Sequence, residues 1–183
     1  MRFTSLAFLL TWLGQACEPG NQLPDGPGEM TVQWTGSVDG SMTAPASATW
    51  CEVQRLLEIR SIRGDTGIAL ALYATRKPTA GSYPILEPAR AESLPPAAGV
   101  AVRWLARNVV QGFRGDSGRL QLERSSSGKL SGQLQARARS VVDTQRIRLT
   151  ADFRNLTPRP DTLNCTPVDT TEDAGGAGDT MVD

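Results

Sequence analysis

Few side chains in this 183-residue chain have the type and setting for chemistry. Ser117 sits between Asp116 and Gly118, a glycine-bracketed place where a hydroxyl can act as a nucleophile. Such a hydroxyl needs a neighbouring base, normally an imidazole, and the chain contains no histidine. Serine–histidine and cysteine–histidine catalysis within one chain are therefore excluded, and the commonest metal ligand is missing too. Glu52 with Glu58, or Glu87 with Glu92, would be the carboxylate pairs for acid–base work on a glycosidic bond. Nothing in their spacing separates them from solubilising surface charge. Cys51 and Cys165 have no partner at zinc-ligand spacing, and no loop of alternating aspartates offers a calcium site. The expectation is no catalytic residue, no metal and no cofactor.

The elements that would position any site follow a period of two. "DTGIALALY" puts Ile68, Leu70 and Leu72 on one face, and "GVAVRWLAR" does the same with Val100, Val102 and Trp104. "GRLQLE" turns Leu120 and Leu122 inward and Gln121 and Glu123 outward. Turn clusters of Gly, Ser, Asp and Pro recur at short intervals. The expected fold is all-β: an antiparallel sandwich or barrel of about 8–10 strands. "LEPARAESLPPAA" has room for one turn of helix inside a long surface connection. "IRGDTG" and "FRGDSG" both read as hairpin turns, because Gly and Asp tolerate positive φ and Asp and Ser bond their own backbone. Trp34, Trp50 and Trp104 read as core aromatics, with the lining of a small-ligand pocket as the other reading.

One register follows from side-chain size. If "LSGQLQARA" and "RIRLTADF" form a hairpin around "RSVVDTQ", pairing Ala138 with Ile147 sets Ala136 opposite Leu149, Leu134 opposite Ala151 and Gly132 opposite Phe153. Small then meets large across each inward pair, and a slip of one residue would bury arginines. The same register places Arg137 opposite Arg148 and Arg139 opposite Arg146 on the outer face. Like charges across a ladder cost roughly 0.2–1 kcal/mol a pair. Guanidinium groups so gathered suit phosphate or carboxylate, and these four are the candidate anion site. No aromatic platform interleaves them, so nucleic acid is not an expected partner.

The N-terminus states an address. Arg2 precedes an apolar segment from Leu6 to Leu13, too short for a membrane span of about 20 residues, and Gly14-Gln15-Ala16 offers the small residues at which a signal peptide is cut. "LGQAC", residues 13–17, resembles the lipobox of bacterial envelope lipoproteins, although Gly14 and Gln15 depart from its leucine-then-small pattern. The resemblance covers only the first seventeen residues. It implies export, removal of residues 1–16 and diacylation of Cys17, with ordinary secretion beginning at Cys17 as the alternative. Glu18 is not the aspartate that retains such lipoproteins in the inner membrane, so the outer membrane or periplasmic face of the envelope is the expected location. With Cys17 used, Cys51 and Cys165 remain as a pair that an oxidising compartment would close.

Composition divides the rest. Residues 17–29 carry three prolines and three glycines without apolar period and read as a flexible tether. Residues 30–168 are the β-domain, and the acidic stretch 169–183 reads as a disordered tail. Net charge is zero over the chain but +7 from Met30 to Val168, −3 from Cys17 to Glu29 and −5 in the tail. The functional expectation is a lipid-anchored, non-enzymatic envelope protein that binds or scaffolds, with anionic lipid or glycan as the partner class. A lipocalin-like carrier of an apolar ligand and a carboxylate-dependent glycan hydrolase are the alternatives.

Overall fold

The computed structural model describes residues 28–160 apart from residue 107. The expected signal peptide, Cys17, most of the tether, Cys165 and the acidic tail lie outside the described residues. Ten strands and one short helix follow in chain order: β1 (Glu29–Gly36), β2 (Gly40–Cys51), β3 (Leu56–Arg63), β4 (Thr66–Tyr73), β5 (Gly81–Leu86), α1 (Pro88–Ser93), β6 (Ala97–Ala106), β7 (Val109–Arg124), β8 (Leu130–Ser140), β9 (Arg146–Leu156) and β10 (Pro158–Pro160). The all-β expectation holds.

The choice between sandwich and barrel is decided by β1. It pairs antiparallel with β9 along one edge and with β2 along the other. β2 continues through β3, β4, β6, β7 and β8 to β9, so eight antiparallel strands close a ring and none of the eight is left as a free edge. Side chains alternate accordingly. In β8 and β9 every second residue from Leu130 to Ser140 and from Ile147 to Phe153 is buried, and the residues between face outward. The hairpin register is the one that the small-against-large argument requires: Ala138 opposite Ile147, Ala136 opposite Leu149, Leu134 opposite Ala151 and Gly132 opposite Phe153. Gly132 has no alternative, because a Cβ there would run into the Gln121 carbonyl and the Phe153 ring.

Successive turns alternate between the two ends of the barrel. The upper end, where β1 finishes, carries the turns after β1, β3, β6 and β8; the lower end carries those after β2, β4 and β7. β7 has sixteen residues and changes partner along its length. Its first part pairs with β6, from Ala106 opposite Val109 to Ala101 opposite Arg114, and its second part pairs with β5, from Leu86 opposite Ser117 to Gly81 opposite Leu122. β5 is thus wedged between β7 and the lower part of β6. α1, begun by Pro88 in its first turn, returns the chain and covers β6: Ala91, Ala97 and Ala98 are fully buried.

This partner change corrects one expectation. "IRGDTG" is a hairpin turn, between β3 and β4, with Gly64 at φ +57°. "FRGDSG" is not. Residues 113–118 lie within β7, where the register against β8 shifts between Gly115 and Ser117. A bulge replaces the turn because Gly115 is pressed inward, and a Cβ there would stand 2.5 Å from Val100. The same six-residue pattern therefore serves two different backbones.

Candidate functional site

The outer wall holds the candidate site, built by cross-strand register. Arg137 lies opposite Arg148 and Arg139 opposite Arg146, as expected. β7 adds Arg114 opposite Arg139. Arg114 faces Ala101 of β6, Ala101 faces Ala69 of β4, and Ala69 faces Arg60 of β3. One row around the upper half of the wall therefore reads Arg60, Ala69, Ala101, Arg114, Arg139, Arg146.

Two depressions interrupt this wall. Between Arg60 and Arg114 the alanines leave a trough of about 380 Å³, also lined by Glu58, Ile62, Arg103 and Val141. A second, of about 470 Å³, lies over Ser117, Gly118, Gln135, Arg137, Arg148 and Thr150. Gly118 floors it with φ +141°, a conformation L side chains rarely adopt, and its backbone lies against that of Gln135.

Ion pairing divides the arginines into two sets. Arg60 Nε donates to Glu58 at 2.6 Å, Arg139 Nη2 donates to Glu87 Oε1 at 2.5 Å, and Arg146 lies 3.7 Å from Asp116. Arg137 and Arg148 have no acid partner among the described residues, nor do Arg103 and Arg114. The unpaired guanidiniums line the two depressions. An anion over Arg137 and Arg148 would meet guanidiniums with no acid in the lining of their depression, and a planar fork can grip phosphate or carboxylate in two-point fashion.

The four acids considered for hydrolysis lie on different parts of the chain, although Glu58 and Glu92 both act on Tyr73. Glu52 lies in the lower turn after β2 and accepts the Trp50 Nε1–H at 2.5 Å. Glu58 holds Arg60 on β3, and Glu87 precedes α1 and holds Arg139. Glu92 lies on α1; burial first, then the charges of Glu92 and Glu58, raise the Tyr73 hydroxyl above its ordinary range. No group of three potential metal ligands occurs among the described residues.

Trp34 and Trp104 are core rings. Their centroids are 4.9 Å apart at 17°, Phe113 stacks on the far side of Trp104 at 5.0 Å and 9°, and all three are buried. The stack fills the upper part of the barrel interior. Cys51, the end of β2, is buried and is not without a partner.

Sequence reasoning missed Arg60, Arg103 and Arg114. Alternation in "VRWLARNVVQGFRG" signals that Arg103 and Arg114 point outward. No local signal places β4 beside β6, which is what joins Arg60 to them. No family model, curated protein or solved structure matches this chain.

Proposed function

We propose that this protein is an exported, lipid-anchored envelope protein whose barrel acts as a non-enzymatic binding module for an anionic envelope component. Cys17 carries the anchor, and the arginine-bearing wall of β7, β8 and β9 makes the contact. The observation that carries the reading is the Arg137–Arg148 pair: two guanidiniums directly opposite each other, over an open depression, with no acid beside them among the described residues. A ladder position that only had to be soluble has no reason to hold like charges at a cost of about 0.2–1 kcal/mol. A bound anion would turn that repulsion into attraction.

The Cys51–Cys165 disulfide belongs to the same reading. β10 runs parallel to β2, with Pro160 opposite Trp50, one residue from Cys51. Five further residues lead to Cys165, a reach of up to roughly 17 Å, while a disulfide needs its Cα atoms within about 7 Å. That length is enough for the pair to form.

The test is Arg137→Glu with Arg148→Glu in the full mature chain. Retention on an acidic polysaccharide and on vesicles containing phosphatidylglycerol should fall steeply, and wild-type retention should weaken as salt rises. Unchanged retention in the double variant would overturn the proposal. The intact mass of protein taken from membrane fractions reads the acylation of Cys17 and the thiol state in one measurement.

A further inference from the structure

The upper end of the barrel has a second property that the arginines do not explain. Nine large apolar side chains are exposed among the described residues, and seven of them lie at that end: Val38, Ile62, Leu105, Val109, Val110, Val141 and Val142. They come from four different turns or strand ends. β6 and β7 project furthest. Pairing of β6 with β4 stops at Arg103, and pairing of β7 with β8 stops at Phe113, so 104–106 and 109–111 pair only with each other. This two-stranded finger carries Leu105, Val109 and Val110. Val141 lies against it, its N–H donating to the Gly112 carbonyl at 2.9 Å. Ile62 lines depressions on both sides, one with Val141 and the other with Leu105 and Val110, which joins these four side chains into one patch.

Arginines stand directly beneath. Arg103 lines both depressions, and Arg60 and Arg114 follow one row lower. Of the acids on the upper turns, Asp39 accepts the Gly36 N–H and Asp143 accepts the Gln145 N–H and its amide, and Asp65 shares a depression with Arg103. Under the apolar rim the Trp34–Trp104–Phe113 stack closes the barrel, so the valines cover no opening into it.

We infer that this end docks on an anionic bilayer, with the apolar turns entering the interface and the arginines meeting the headgroup phosphates. The inference rests on the anion-binding reading above and names its partner as lipid. Two features favour a bilayer over a protein. The apolar groups are spread over separate turns, and a fluid interface conforms to them without a matching surface. Its side chains are all aliphatic, whereas protein interfaces concentrate aromatics and methionine. Chain length permits a single membrane to serve both contacts. The eleven residues 17–27 span at most about 40 Å, and the eight residues of β1 rise about 26 Å from the lower end to the upper.

The experiment uses the full mature chain with Cys17→Ser, so that no acyl group contributes, and vesicles of phosphatidylcholine with or without phosphatidylglycerol. The unmodified surface should bind the anionic vesicles and release them at high salt. Val110→Asp with Val142→Asp should weaken that binding by about tenfold or more, and Val53→Asp, at the lower end, should not change it. Retention on the acidic polysaccharide should survive Val110→Asp with Val142→Asp and fail in Arg137→Glu with Arg148→Glu. Vesicle binding equal in the Val110→Asp, Val142→Asp variant overturns the inference and leaves the anion reading standing. A self-associating parent that becomes monomeric in that variant, with no vesicle binding, also overturns it and assigns the patch to a second copy.

Discussion

The two halves of one barrel wall carry opposite chemistry. On β7, β8, β9 and β1 the upper half bears Arg114, Arg137, Arg139, Arg146 and Arg148, with exposed valines above them. The lower half of the same strands bears Glu123, Asp152 and Glu29, with Arg154 Nη2 donating to Glu29 at 2.8 Å. The tryptophans differ in the same sense. Trp50 at the lower end donates its indole N–H to Glu52, whereas the Trp34 Nε1–H at the upper end is buried with no acceptor among the described residues. Alternation is identical in both halves, so the inward positions serve the fold throughout. Of the outward charges below, Arg154 is paired with Glu29. Above, Arg139 and Arg146 hold acids, but Arg137, Arg148 and Arg114 have no acid partner among the described residues. An end where several guanidiniums and most of the exposed apolar groups lack internal partners is the end suited to an external one.

The largest test of this contrast is the proposed staple. Closing a loop of more than 100 residues is worth about 4–5 kcal/mol in the chain-entropy model, less any strain. Reducing the mature protein, or pairing Cys51→Ala with Cys165→Ala, should lower stability by that order in denaturant titrations. Amide exchange should accelerate first along β10 and the lower part of β2, ahead of the upper turns.

Smaller effects separate the tryptophans. Trp50→Phe removes the donor to the Glu52 carboxylate, which is exposed and then solvated by water, and should destabilise by about 0.5–1.5 kcal/mol. Trp34→Phe keeps a ring in the stack while deleting the orphaned donor, and should be neutral or stabilising by thermal melting. Equal losses in both would mean that the ends do not differ in internal satisfaction.

Smaller again is Arg148→Glu alone, which replaces a like pair opposite Arg137 by an ion pair. Stability should rise by about 0.2–1 kcal/mol while anion binding falls. A rise in both would detach the pair from function.

The smallest effect concerns the turn after β8. Hydrogen bonds from the Gln145 backbone and from Ser140 hold the Asp143 carboxyl below its ordinary range, with a smaller one from the Gln145 amide. A depressed carboxyl contributes its stability above the ordinary carboxylate range and loses it as pH falls through the native value. Protection of the Gln145 amide should therefore decline at acid pH in the parent. In Asp143→Asn that decline should be absent.

Much of this architecture is legible along the chain because its signals are local. Strand faces follow from period two, and the β8–β9 register follows from Gly132, Ala136 and Ala138 facing Phe153, Leu149 and Ile147. That register by itself places Arg137 against Arg148. The "RGD" stretches mark where local reading stops. Residues 63–65 and 114–116 have the same composition, yet only the first turns, because the second lies where β7 exchanges β6 for β5. Nothing within six residues encodes that exchange.

The sequence alone determined the alternation, the one hairpin register and the arginines it aligns, since each depends on side chains a few positions apart. Only the tertiary structure decided that β1 bridges β9 and β2 to close a barrel. It also decided that β4 lies beside β6, bringing Arg60 into line with Arg114, and that aliphatic side chains from four turns or strand ends lie at one end. Those are contacts between distant segments, selected by strand twist and by the packing of Trp34, Trp104 and Phe113 in a shared interior.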